Sequence, residues 1–201
     1  MKTRVFNKNE LSEASELLKN GEIIAFPTET VFGLGVVFNS EKACKNLINV
    51  KKRHENKPFT LMCSNLDQIE DVLELNDTAK KIMDAFTPGP ITLILKTKKE
   101  VPHYLDLGTG YIGIRIPKDE TILDLINKVG APLLVPSANP ADMKPARSTK
   151  EVLEYFDGEI SGVIDGDTSN LEPSTVVKVE KNDIIIIRKG PISLEEIKGV
   201  L

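Results

Sequence analysis

The chain of 201 residues has no tryptophan and only two cysteines and two histidines. Cys44 and Cys63 are too few for a disulfide framework or a four-ligand zinc site. They read as buried, reduced thiols of a cytosolic protein. His54 and His103 stand in ligand spacing with neither a cysteine nor each other, so no metal-ligating set is expected. Aromatic residues make up 5% of the chain, few for a surface that stacks nucleic-acid bases. No apolar run approaches the ~20 residues of a membrane span, and the opening MKTRVFNKNE lacks the apolar core of a signal peptide. The cytoplasm is therefore the expected compartment, with no membrane partner. Two nucleotide cradles are missing as well. There is no Gly-x-x-x-x-Gly-Lys-Ser/Thr loop, and Gly33-x-Gly35 lacks the third glycine of a dinucleotide fingerprint. Ser137 has no Gly-x-Ser-x-Gly elbow around it, which argues against a hydrolase triad.

What remains is ordinary globular composition, 40% hydrophobic and 28% charged, on a chain long enough to bury a substantial core. The formal net charge of −4 argues against nucleic-acid binding through global charge and leaves room for a local basic site. Hydrophobic periodicity predicts helices over residues 11–19, 40–50, 77–86, 120–129, 149–156 and 193–198. Asn9 is placed as the first helix's cap and Ser40 as the second's. Strands are predicted over 23–26, 59–63, 91–95, 112–116, 133–135, 163–164, 174–179 and 184–187, with an edge strand at 3–6. The turn signal Lys181-Asn182-Asp183 makes the last two strands an antiparallel hairpin. This mixture predicts an α/β (α+β) fold, one domain over 1–201 with a twisted mixed sheet and flanking helices.

Five places carry possible chemistry. Pro27-Thr28-Glu29-Thr30 follows a strand and precedes Gly33 and Gly35, so it is either a tight turn or a display of hydroxyls and amides to a polar ligand. Lys51-Lys52-Arg53 and Lys57 follow a helix. They read either as a solvated, dipole-matched helix end or as a triphosphate clamp. Ser137-Ala138-Asn139 lies where a strand runs out, a common position for a site in α/β proteins and also a common turn. Arg115 sits inside the apolar strand Gly113-Ile114-Arg115-Ile116 and must face water or a polar cleft. Arg188 closes a run of four isoleucines, either as an exposed strand end or as a phosphate contact.

Taken in order, FPTETVFGLG, Lys51-x-Arg53 with Lys57-Pro58, TPGPITLIL, IGIRIP, PLLVPSAN, PSTVV and IRKG resemble the YrdC family over nearly the whole chain, in its short form. The resemblance implies a YrdC-like fold with a concave basic cavity. It implies a nucleotidyltransferase, a threonylcarbamoyl-AMP synthase that joins L-threonine, bicarbonate and ATP and releases pyrophosphate, with Mg²⁺ carried chiefly by the phosphates. By the same resemblance Lys51 and Arg53 are the catalytic pair. Thr30, Arg115, Ser137 and Ser174 hold threonine, and Arg53, Lys57, Asn139, Arg147 and Arg188 hold the nucleotide, with Tyr111 near it. A downstream threonylcarbamoyl transferase acting on tRNA is the implied partner. Two alternatives stand beside this reading: a YciO-like paralogue with a different acceptor, and a non-catalytic protein that binds double-stranded RNA or tRNA.

The chain departs from the family pattern at Phe32, usually Tyr; at Met62, often His; and at Pro140-Ala141-Asp142, usually beginning Ser-Gly. A thioether cannot donate a hydrogen bond as an imidazole does, so a pocket containing Met62 loses a contact of about 1 kcal/mol. Met62→His is expected to strengthen threonine use and sharpen discrimination against serine and valine. Unchanged rates for all three amino acids would show that Met62 does not touch substrate.

Overall fold

The structure is a computed structural model that describes residues 2–52, 59–98, 100–168, 172–181 and 183–201. The elements in chain order are β1 (Arg4–Phe6), α1 (Leu11–Lys19), β2 (Ile24–Phe26), β3 (Gly33–Val37), α2 (Glu41–Lys51), β4 (Thr60–Met62), α3 (Asp77–Phe86), β5 (Ile91–Lys96), α4 (His103–Asp106), β6 (Tyr111–Arg115), α5 (Glu120–Val129), β7 (Leu133–Leu134), α6 (Thr149–Phe156), β8 (Gly162–Ile164), β9 (Thr175–Glu180), β10 (Asp183–Arg188) and α7 (Leu194–Lys198). The helix caps follow the expected chemistry. Ser40, Asn76, Asp119, Ser148 and Ser193 each accept from a backbone N–H in the first turn of their helix. Asn9 does not cap α1. It lies inside a 3-10 turn, Lys8–Glu10, that begins at Asn7, where the Glu10 carboxylate accepts from the Asn7 backbone N–H.

One ten-stranded sheet runs in the order β1-β8-β2-β3-β7-β4-β6-β5-β9-β10. It is mixed: β1/β8, β8/β2, β4/β6 and β5/β9 are parallel, and the remaining neighbours are antiparallel. The β9/β10 hairpin and the edge position of β1 agree with the sequence. Strand β3 and helix α4 went unpredicted. Each is short, and β3 follows so closely on the Thr28–Thr30 turn that its glycines read as part of that turn.

The two faces of the sheet are treated differently, and this creates the site. Side chains alternate along a strand. One set comprises Leu61, Cys63, Ile91, Leu93, Leu95, Ile112, Ile114, Val177 and Val179. It packs in a large core with Leu47 of α2, Ile82 of α3, Phe156 of α6 and Ile197 of α7. On the other face α1 and α5 bury Leu11, Ala14, Leu18, Ile122, Leu125 and Ile126 in a smaller core with Phe6, Ile24, Leu133 and Val135. That cover spans the β1–β7 half. Beyond it, the alternate residues of β4, β6, β5 and β9 face a cavity instead of a helix: Thr60 and Met62, Gly113 and Arg115, Thr92, Val176.

Both thiols lie in the large core. Burial pushes Cys44 up to about 11 and Cys63 to about 12. Neither forms the reactive thiolate near neutrality.

After β10 the chain turns back across the start of β9. At Gly190 a Cβ would stand 2.4 Å from the Thr175 nitrogen and 2.6 Å from the Pro173 oxygen, both backbone atoms that cannot rotate away. Gly190→Ala is therefore expected to destabilise the fold by about 1–3 kcal/mol, the range for overpacking, and to displace Ser174. A thermal midpoint lowered by several degrees checks it, and an unchanged midpoint would contradict the close crossing.

Candidate functional site

The cavity of about 230 Å³ sits at the meeting of three segments: the turn after β2, the exit of β7 and the start of β9. Thr30, Val31, Met62, Thr92, Arg115, Ser137, Ser174 and Arg188 are among its walls. Residues separated by well over a hundred positions in sequence thus share one space, because β3, β7, β4, β6, β5 and β9 are successive neighbours in the sheet.

Arg115 is the central group. It ends β6, is 7% exposed, and lies opposite Met62 in the β4/β6 register. Its Nη2 donates to Thr30 Oγ1 at 2.9 Å and pairs with Glu29 Oε1 at 2.9 Å. The same Glu29 oxygen accepts from the Lys118 backbone N–H at 3.0 Å. The Nε of Arg115 is buried and has no hydrogen-bond partner among the described residues. An unsatisfied buried guanidinium N–H is costly.

Arg188 closes the other side. Its Nε and Nη2 donate to the Ser174 carbonyl at 3.0 and 2.8 Å, and Nη2 also reaches Ser174 Oγ at 3.0 Å. Ser174 Oγ lies 2.8 Å from Thr92 Oγ1. The Arg188 guanidinium is partly withdrawn from water. That desolvation, and next the like charge of Arg115, hold its pKa below the usual arginine value. Two guanidiniums that repel each other across a small cavity favour an anion between them. Thr92 was not anticipated, although a lone hydroxyl in the apolar strand ITLIL is a legible signal of the same kind as Arg115.

Two other expected residues play parts the sequence did not reveal. Lys51 does not line the cavity. It is 2% exposed, and its Nζ donates to the backbone carbonyls of Ser137 and Asn139, at 2.6 Å for the latter. Asn139 is also absent from the wall, because its amide folds back to donate to the Pro140 and Met143 carbonyls at 2.8 and 2.9 Å. Its Oδ1 accepts from Ser137 Oγ at 2.6 Å. Arg147 is exposed and outside the cavity wall, and its backbone N–H is taken by Glu151. Arg53 and Lys57 lie outside the described residues. Phe32, where the family usually has Tyr, is fully buried in the large core, so the missing hydroxyl is not taken from the cavity wall. Met62 does line the cavity while also packing in the smaller core.

An adjoining trough of about 340 Å³ shares Phe59, Thr60, Thr92 and Val176 with the cavity and continues along the uncovered face past Gly113 to Tyr111 and Lys178. Lys178 Nζ lies 3.9 Å from the centre of the Tyr111 ring, and Tyr111 Oη donates to Glu180 at 2.7 Å. Among the described residues no three His, Cys, Asp or Glu side chains converge on a point that could hold a metal ion, and no helix is long and apolar enough to cross a membrane.

Comparison with known proteins gives the same ancestry for fold and sequence. The threonylcarbamoyl-AMP synthase of Buchnera aphidicola is 32% identical over 173 residues, 84% of this chain and 98% of that protein. The threonylcarbamoyl-AMP synthase of Bacillus subtilis is 32% identical over 198 residues, 97% of this chain and 57% of the longer relative. The crystal structure of Pyrococcus abyssi Sua5 complexed with L-threonine matches with a TM-score of 0.94 and 31% identity, covering 99% of this chain and 61% of that one. The chain thus spans nearly all of the Buchnera protein and somewhat over half of the other two. The family model Sua5_yciO_yrdC, described as telomere recombination, matches residues 16–190, and the chain belongs to this Sua5/YciO/YrdC family.

Proposed function

We propose that the protein is a threonylcarbamoyl-AMP synthase. The observation that carries the reading is the buried guanidinium of Arg115 in the wall of a hydroxyl-lined cavity that a second guanidinium, that of Arg188, closes. A small carboxylate with polar groups beside it matches that wall, and its relatives bear the synthase's name. Arg115 takes the carboxylate of L-threonine as its charge partner in the cavity. Thr30, Ser137 and Ser174 surround the remainder. The amine of threonine and bicarbonate give a carbamate with loss of water. A carbamate oxygen then bonds to the α-phosphorus of ATP while the bond to the bridging oxygen breaks, and pyrophosphate departs.

No covalent intermediate on the protein is required, so catalysis rests on positioning and charge. Arg188 accommodates phosphate charge, and the family resemblance assigns Arg53 and Lys57 to the same task. Magnesium would travel on the phosphate oxygens. The neighbouring carboxylate, Glu29, fits that role poorly because it is paired with Arg115. The product is a reactive mixed anhydride, which an enzyme transferring threonylcarbamoyl to a tRNA adenosine would consume in the cytoplasm.

Pyrophosphate release should require threonine, bicarbonate and ATP together. Release that continues when threonine or bicarbonate is omitted would sink the assignment, and release driven better by another amino acid would move it to a different acceptor. Arg115→Lys should raise the KM for threonine roughly ten- to a hundredfold, because an ammonium cannot hold Thr30 and Glu29 and the carboxylate together as the guanidinium does. An unchanged KM would place the carboxylate elsewhere.

A further inference from the structure

The sheet ends on two edges, and they are built differently. β1 is three residues long, and its Arg4 is paired with Glu10 and Glu13 at 2.7 and 2.6 Å. That fringe of charge keeps the edge in water. β10 runs for six residues, and its middle four are isoleucines. Among the described residues, positions 183–190 make no backbone hydrogen bond beyond the pairing with β9. The outer row of N–H and C=O groups on β10 is therefore open to another strand.

The two faces of β10 differ as well. Ile184 and Ile186 pack against the large core. Ile185, opposite Lys178, and Ile187 lie on the uncovered face of the sheet and are 48% and 55% exposed. One exposed isoleucine is ordinary, but two beside an open edge make an apolar patch. The strand is acidic at its start, Asp183, and basic beyond its end. Arg188 is drawn toward Ser174, which leaves Lys189 as the exposed cation there.

We propose that β10 is an interface with a second copy of this chain, the two strands pairing antiparallel about a two-fold axis at Ile185. Direction follows from charge. Antiparallel pairing sets the acidic start of each strand beside the basic end of the other, whereas parallel pairing would align Asp183 with its own copy. Register follows from the faces, since opposed residues must share one. Centring on Ile185 sets Ile184 against Ile186 of the second copy, and Asp183 against Ile187, next to Lys189. The bulge between Ile186 and Arg188 then lies at the ends of the new ladder. A shift to Ile186 would bring it against Ile185. Ile185 and Ile187 of both copies gather on the uncovered face. The contact is isologous and closes at two copies, because growth from edge to edge would have to use the charged β1. It stands independently of the synthase reading.

Sedimentation of the wild-type chain over a range of concentrations should show single chains in equilibrium with pairs and nothing larger. Ile185→Lys places two ammonium groups side by side at the axis. It should weaken pairing about a hundredfold or more, because each substitution counts twice. Cross-linking reads the register. Opposed residues of antiparallel strands have Cα atoms about 4.5–5.5 Å apart, within reach of a disulfide. Under mild oxidation Ile185→Cys should link to itself, and Ile187→Cys should link only when mixed with Asp183→Cys. The native thiols, Cys44 and Cys63, are buried and take no part. If Ile185→Lys does not fold, the cysteine variants decide alone. A wild type that stays single at every concentration would overturn the proposal, as would assemblies that keep growing or pairs that survive Ile185→Lys. Self-linking of Ile187→Cys as ready as that of Ile185→Cys would refute the register. Single chains that bind an added extended peptide along β10 would give the edge to another occupant and refute the second copy.

Discussion

A guanidinium enclosed in a strand is tolerable only where neighbours offset its lost hydration, and in this molecule that requirement at Arg115 organises the site. Desolvating such a charge costs several kcal/mol unless it is paired and hydrogen-bonded. The turn after β2 supplies both compensations, a carboxylate from Glu29 and a hydroxyl from Thr30. Thr30 is oriented by Thr28, and Thr28 by the Val31 carbonyl. A segment that would otherwise be a simple connection is therefore locked in one conformation by the charge it serves. Among the described residues the compensation is incomplete at Nε, which has no hydrogen-bond partner.

The second organising element is the Ser137–Asn139 exit from β7. Among the described residues it is held from several directions: Lys51 from the end of α2, the Phe32 carbonyl accepting from Ala138, and the Ala138 carbonyl accepting from Ala146. The sequence shows a lysine beside a basic cluster and suggests phosphate. The fold instead turns that lysine inward, where its charge is met by two carbonyl dipoles. Preorganisation of this kind is what a reaction needs when its protein contributes geometry and no covalent step.

Much of the architecture was legible because it depends on local signals. The helix over Glu120–Val129 was read from apolar spacing, and the β9/β10 hairpin from its turn. Arg115 and Arg188 were legible as charges in apolar strands. What could not be read was direction. Sequence does not say whether an asparagine amide points at a cavity or back at its own loop, nor whether Lys51 extends into solvent or folds beneath Ser137. The first outcome depends on how the loop bends to bring the Pro140 and Met143 carbonyls to the amide, and the second on carbonyls over eighty positions away. Thr92 was missed for a related reason: its hydroxyl gains meaning only beside Ser174, across a parallel pairing that no local pattern announces.

The order of strands also bears on how the chain is made. β2 lies between β3 and β8, and among the described residues β1 pairs only with β8, in a parallel register joining Arg4–Phe6 to Gly162–Ile164. During synthesis from the N-terminus, β1 thus has no native neighbour among the described strands until Gly162–Ile164 has left the ribosome. The smaller core has the same dependence, since Phe6, Leu18 and Ile24 close against Ile126 and Ile164. Pairings of such long sequence separation are entropically late, so the early segments must remain soluble without their partners. Arg4 and the surrounding acids Glu10 and Glu13, which pair on the outside of β1, give that waiting segment a charged surface rather than a sticky one.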